Sequence, residues 1–203
     1  MRLNLRSVER KRTMKYSEIY SEEFLNKFDE NKEKIGNLDL DIPDNWAIDL
    51  NAILDILNID LKEVYTVDFS GKLDQENDRD VIKVCTFDTE GRQRFTISHE
   101  IGHYILKHEG ILYRKTSKEE YDTYIQQIQE FSANQIAAEL LMPEKIVYMS
   151  IRQTMKEIGW DESKALSSED IDYLIQETAK KMNTSVQAME YRVKNLEVFI
   201  NFE

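Results

Sequence analysis

Scarcity is the most informative property of this 203-residue sequence, which holds one cysteine, two prolines, six glycines and three histidines. A lone cysteine excludes an internal disulfide. Cys85, set among Val81, Ile82, Val84 and Phe87, reads as a buried strand thiol and not as a nucleophile. So few prolines and glycines leave little room for long loops and favour a largely helical chain. No apolar run reaches the length of a bilayer span, and residues 1–13 lack the apolar centre of a secretion signal. A cytoplasmic protein without a membrane partner is therefore expected. Positive charge is scarce too, with 27 Lys and Arg against 39 Asp and Glu for a net charge of −12. Phosphate contacts need a cationic surface, so no direct binding of nucleic acid is expected and a basic partner is favoured. Residues 1–13 depart from this balance: Arg2, Arg6, Arg10, Lys11 and Arg12 against Glu9 give +4, leaving −16 for the remainder of the −12 total. Met14 also looks like a second translation start, and no function is built on the arm before it.

What is present suits one soluble domain, with 41% hydrophobic and 33% charged residues. We divide the chain into an extension over 1–40, made of the basic arm and one helix from Ser17 to Ile35, and a main domain over 41–203. Asp44 is expected to cap a helix carrying Trp46, Leu50, Ile53, Leu54 and Leu57. Leu61 to Phe69 and Val81 to Phe87 are rich in Val, Ile, Tyr and Thr and read as strands, with a solvated loop over the polar run Asp74 to Asp80. A helix follows from Thr89 or Glu90 to Lys107, then a turn region to Ser117. A long helix from Lys118 to Met142 is ended by Pro143. Its apolar stripe is Tyr124, Ile128, Phe131, Gln135 and Ala138, broadening into Ile136, Leu140 and Leu141. Ala133, Ala137 and Ala138 are small enough to admit a neighbouring helix. Helices over Glu144 to Ile158, Glu169 to Met182 and from Asn183-Thr184 to Asn195 complete the chain. The last two have helix-turn-helix spacing, which more often marks packing elements than DNA readers.

Two of the three histidines fall in His99-Glu100-Ile101-Gly102-His103, the H-E-x-x-H pattern of zinc peptidases. Residues four apart share a helix face, so His99 and His103 can offer imidazole nitrogens to one ion. Glu100 stands about 100° round from His99 and can reach a water there without being a ligand. Gly102 inside the helix costs roughly 1 kcal/mol relative to alanine, which suggests a close neighbour. A catalytic zinc takes three protein ligands. The metzincin pattern would need glycine at 106 and histidine at 109, where Leu106 and Glu109 stand. His108 lies on nearly the opposite face of the helix from His99. A carboxylate must complete the set, and Glu130, in line with Asn134, Ala137 and Leu141, is the best candidate. Glu139 points about 180° away from it at 100° per residue. Asn134 is a candidate to orient a ligand, while Tyr104, Tyr113, Tyr148 and His108 are all open as oxyanion donors.

The run Arg94-Phe-Thr-Ile-Ser-His-Glu-Ile-Gly-His-Tyr-Ile-Leu-Lys-His108, with Glu130-Phe-Ser-Ala-Asn-Gln-Ile-Ala-Ala-Glu-Leu-Leu-Met-Pro143, closely resembles the ImmA/IrrE metallopeptidase family. The likeness extends more loosely from about Asp44 to about Leu196, and the first 40 residues have no counterpart in it. The resemblance implies an α+β fold, a mostly helical zincin-like domain with a small β-sheet beside the H-E-x-x-H helix. It also implies a gluzincin-like site with His99, His103 and Glu130 holding Zn2+ and Glu100 as general base. The implied activity is that of an endopeptidase that cleaves or otherwise inactivates a separate Xre-type helix-turn-helix repressor of a phage or mobile element. Two other readings stay open: a non-proteolytic protein that titrates a repressor or antitoxin, and the toxin of a toxin and antitoxin pair.

Overall fold

In the computed structural model, which describes residues 12–107, 119–161 and 164–199, the chain opens with strand β1 (Arg12–Lys15). Helices α1 (Tyr16–Ile19) and α2 (Glu22–Asn26), a 3-10 turn (Asp29–Asn31) and helix α3 (Lys32–Gly36) follow. Strand β2 (Asp39–Ile42) returns antiparallel to β1, with Met14 opposite Leu40. The single helix expected over 17–35 is therefore broken into short pieces. Tyr20 leaves α1 extended, Ser21 recaps α2 by accepting the Phe24 N–H at 3.1 Å, and Asp29 takes a positive φ of 48°. Residues 39–42, at the boundary drawn between the extension and the main domain, form strand β2. The basic residues Arg2, Arg6, Arg10 and Lys11, and the turn region with His108 and Tyr113, lie outside the described residues.

Helix α4 (Leu50–Leu57) is capped by Asp49 and not by Asp44: the Asp49 carboxylate accepts the Ala52 N–H at 3.0 Å. Trp46 and Ile48 are buried from the irregular segment before it. Strands β3 (Asp60–Val64), β4 (Gly71–Glu76) and β5 (Arg79–Cys85) form a mixed sheet in the order β3-β5-β4, with β3 parallel and β4 antiparallel to β5. β4 replaces much of the expected loop. Its turn signal was present in Asn77-Asp78, which both take positive φ and close a two-residue hairpin with Glu76 opposite Arg79. Its polarity has a structural use. Asp74 takes ion pairs from Lys83 at 3.0 Å and Lys72 at 3.1 Å, which pull its carboxyl down to about 2. Glu76 bonds Lys83 at 2.7 Å and also Lys62, so cations of β3 and β5 hold β4 across the sheet.

Helices α5 (Glu90–Ile105), α6 (Glu119–Leu141), α7 (Glu144–Glu157), α8 (Ser168–Lys181) and α9 (Val186–Asn195) lie within a residue or two of the periodicity-based bounds, apart from the start of α9 at Val186. Ser167 caps α8 in a capping box with Asp170, and Ser185 caps α9. One apolar core runs from Tyr16, Phe24 and Ile35 through α4 and Ile82 to Ile101, Leu140, Ile146, Leu174 and Met189. Tyr20 donates to the Leu140 carbonyl at 2.6 Å, and the Tyr16 hydroxyl accepts the Asp49 N–H at 2.9 Å, so the N-terminal helices are bonded to α6 and to the start of α4. The architecture is α+β, with the small sheet packed on α5. Among the described residues no helix is long and apolar enough to cross a membrane.

Candidate metal centre

α5 starts as the chain leaves β5, with Thr89 extended at the N-cap position and Glu90 acidic in the first turn, where the helix dipole favours it. Ile97, Ser98, Ile101 and Gly102 form its buried side. Two contacts fix where the helix sits. Arg94 donates to the Ile48 carbonyl at 2.6 Å, and a Cβ on Gly91 would stand 2.8 Å from the backbone nitrogen of Ser185, so the start of α9 lies against the first turn of α5. Gly102 meets the neighbour that its cost suggested. A Cβ there would stand 3.0 Å from the Ala133 carbonyl oxygen and 3.1 Å from its Cα. Ala133 and Ala137 are fully buried in the same seam. Glycine on one helix and alanines on the other let the two backbones approach, and that approach brings a side chain of α6 to the histidines of α5.

That side chain is Glu130. Its Oε2 lies 3.3 Å from His99 Nε2 and its Oε1 lies 3.5 Å from His103 Nε2, while the two Nε2 atoms are 2.9 Å apart. Nitrogen and oxygen ligands held about 2.0–2.1 Å from one tetrahedral ion stand about 3.3 Å from each other. The three separations bracket that value. The donor set, two imidazoles and a carboxylate, is also one that a borderline cation such as zinc accepts. Among the described residues no further His, Cys, Asp or Glu joins the group, so three protein donors leave room for a fourth, exchangeable ligand.

Asn134 follows Glu130 by one turn of α6, and its Oδ1 lies 3.0 Å from His99 Nδ1. With the amide oxygen as acceptor, the proton of His99 sits on Nδ1 and leaves Nε2 unprotonated toward a metal. Replacing Asn134 by alanine is expected to weaken binding of a divalent metal at this group, read with Zn2+ as the probe, about ten- to a hundredfold. The thermal midpoint of the metal-free protein should barely move, because the residue is exposed. Titration against a chromogenic chelator measures this, and an unchanged affinity would show that the amide does not hold the ring.

Glu100 reaches the sheet. Its Oε2 accepts the backbone N–H of Leu73 in β4 at 2.9 Å. Burial raises its carboxyl above the ordinary range, opposed by the nearby His99 and by the Leu73 bond. A carboxylate with a raised pKa, beside the group that would hold a metal but not part of it, is suited to accept and return a proton. The Leu73 contact was not visible in the sequence, since a backbone donor has no residue signature.

Several other candidates are placed elsewhere. Glu139 faces the opposite side of α6, in a cavity of about 250 Å³ with Tyr20, Tyr148 and Arg192, and burial raises its carboxyl. Tyr148 lines that cavity too, and its hydroxyl donates to the Leu196 carbonyl at 3.3 Å. Tyr104 lines a separate hollow with Phe28 and Leu57. Cys85 is buried, with its thiol 2.9 Å from the Thr66 carbonyl. The stripe of α6 differs from its reading in the sequence: Tyr124, Ile128 and Phe131 are 61%, 44% and 64% exposed, because the buried face runs through Ala133, Ile136, Ala137, Leu140 and Leu141.

A peptidase family model described as the IrrE N-terminal-like domain matches residues 54–194, a span that contains α5, α6 and the sheet. No curated protein matches. Among solved structures, a Mycobacterium tuberculosis transcriptional regulator is similar over 71% of this chain and 39% of its own, at 14% identity and a TM-score of 0.43. The chain thus spans well under half the length of that protein.

Proposed function

Because this chain belongs to the IrrE N-terminal-like family of peptidases, we propose that it is a zinc-dependent endopeptidase that cleaves, and so inactivates, an Xre-type helix-turn-helix repressor. The observation that carries the reading is the group of His99, His103 and Glu130 with Glu100 beside it and outside it. A purely structural zinc would be closed by a fourth protein ligand and would have no use for the glutamate. When bound, zinc supplies a Lewis acid and lowers the pKa of water toward ~7.

The chain's own residues do the rest. His99 and His103 keep the two nitrogens on one helix face, and Glu130 adds a carboxylate from the neighbouring helix. Glu100 accepts a proton from water as the oxygen adds to the peptide carbonyl carbon, then returns that proton to the amine as the C–N bond breaks. β4 is an edge strand beside Glu100, where an extended substrate can pair and hold its backbone in register. The repressor as target rests on the family resemblance, with the acidic balance of −12 as support, since it suits a basic DNA-binding protein as partner. Such a target places the activity in the cytoplasm.

The test is incubation of the purified, zinc-loaded protein with the repressor encoded beside its gene, followed by mass spectrometry. New termini at one site, lost with a chelator and restored by zinc, are expected. An intact repressor that nonetheless forms a complex would replace this reading with titration by binding.

A further inference from the structure

The contact between Glu100 and Leu73 sits where a substrate strand would have to bind. Among the described residues β4 pairs with β5 alone, so its other edge carries no strand. Cys85 N–H donates to the Ser70 carbonyl at 2.8 Å, which makes positions 70 and 85 a hydrogen-bonded pair. Bonded and non-bonded pairs alternate along an antiparallel ladder. Residues 72, 74 and 76 therefore direct their backbone groups to β5, and Gly71, Leu73 and Gln75 direct theirs to the open edge. The Leu73 N–H, the central donor of that edge, is the one that Glu100 Oε2 takes at 2.9 Å.

A strand laid along β4 would place a carbonyl oxygen at the same N–H, because that is how an edge is extended. One N–H cannot serve a carboxylate and a carbonyl at full strength. We propose that Glu100 holds the place of a substrate carbonyl on Leu73, so that pairing of an extended segment with β4 displaces the carboxylate and frees it for proton transfer. The proposal rests on the peptidase reading above and narrows its substrate class. A segment that stays helical cannot exchange bonds with Leu73 and leaves the base engaged. An extended linker or locally unfolded stretch of a protein takes the N–H and releases it. Binding of the right backbone shape and readiness of the base become one event.

Two measurements on the full chain test this without cleavage. The first is amide hydrogen exchange of Leu73, read by NMR. It should quicken about tenfold or more in Glu100→Ala and much less in Glu100→Gln, whose side-chain oxygen can still accept. The second is binding of oxidised insulin B chain, an unfolded peptide, to the two zinc-loaded variants. Glu100→Ala, which leaves Leu73 unclaimed, should bind it about fivefold more tightly than Glu100→Gln. In a Leu73→Pro background that difference should vanish. Proline there removes an outward N–H and leaves the ladder to β5 intact, and Leu73→Val controls for the side chain. Equal exchange of Leu73 in all variants, or equal or weaker binding by Glu100→Ala, would overturn the proposal. Failure of the wild type to cut any protein would instead sink the peptidase reading and leave these two results standing on their own.

Discussion

On the proposed function, Glu100→Gln is expected to keep zinc at full occupancy and to lower kcat/KM for the proposed repressor substrate about a thousandfold. Glutamine preserves the shape of the side chain and an oxygen able to accept the Leu73 N–H, so β4 and α5 should stay in place. It cannot take up a proton. General acid and base catalysis contributes roughly 10²–10⁴ in rate, and the same residue is asked both to accept the proton from water and to return it to the amine, so the middle of that range is a modest estimate. Metal analysis and cleavage kinetics of the two proteins, run side by side, decide the matter. Equal cutting would show that the mechanism assigned to Glu100 is wrong. A variant that no longer cuts yet still relieves repression in cells would favour titration of the repressor by binding.

Glu130→Ala is expected to lose zinc. Apparent binding energies of structural zinc sites, about 10–16 kcal/mol spread over four ligands, correspond to about 2.5–4 kcal/mol per ligand, or roughly two to three orders of magnitude in affinity. The carboxylate lies 3.3 and 3.5 Å from the two Nε2 atoms and is the donor that α6 contributes to the group. Glu139→Ala provides the contrast on the same helix, since that carboxylate lines the cavity with Tyr20 and Arg192 on the far side and should leave zinc binding unchanged. Equilibrium dialysis with metal analysis reads both. Undiminished zinc in Glu130→Ala would remove it from the site and require a donor from outside the described residues.

Much of this site was legible because helical periodicity is rigid. The four-residue spacing of His99 and His103 and the opposition of Glu130 to Glu139 follow from 100° per residue, and the geometry agrees with both. Gly102 announced the close approach of α6, since a helix tolerates glycine poorly without a reason. The strands were harder. β4 escaped because its apolar content is low, its carboxylates being paired with Lys83 of β5 and Lys62 of β3. The segment 17–35 failed for the converse reason: its periodicity is helical, yet Ser21 and the positive φ of Asp29 interrupt it locally.

The sequence by itself determined two nitrogen donors on one face of one helix with a glutamate about 100° round from the first, a second helix with a carboxylate on its facing side, and the acidic, cysteine-poor character of the chain. Those properties depend on identity and on spacing within single elements, which covalent geometry carries directly. Tertiary structure alone decided that Glu130 comes within 3.5 Å of both imidazoles, that Asn134 bonds His99, and that the open edge of β4 holds Glu100 through a backbone N–H. Each is a contact between separate elements. Its distance is set by how closely Gly102 lets α6 approach and by where the Asp74 and Glu76 ion pairs hold β4, and no local pattern encodes either.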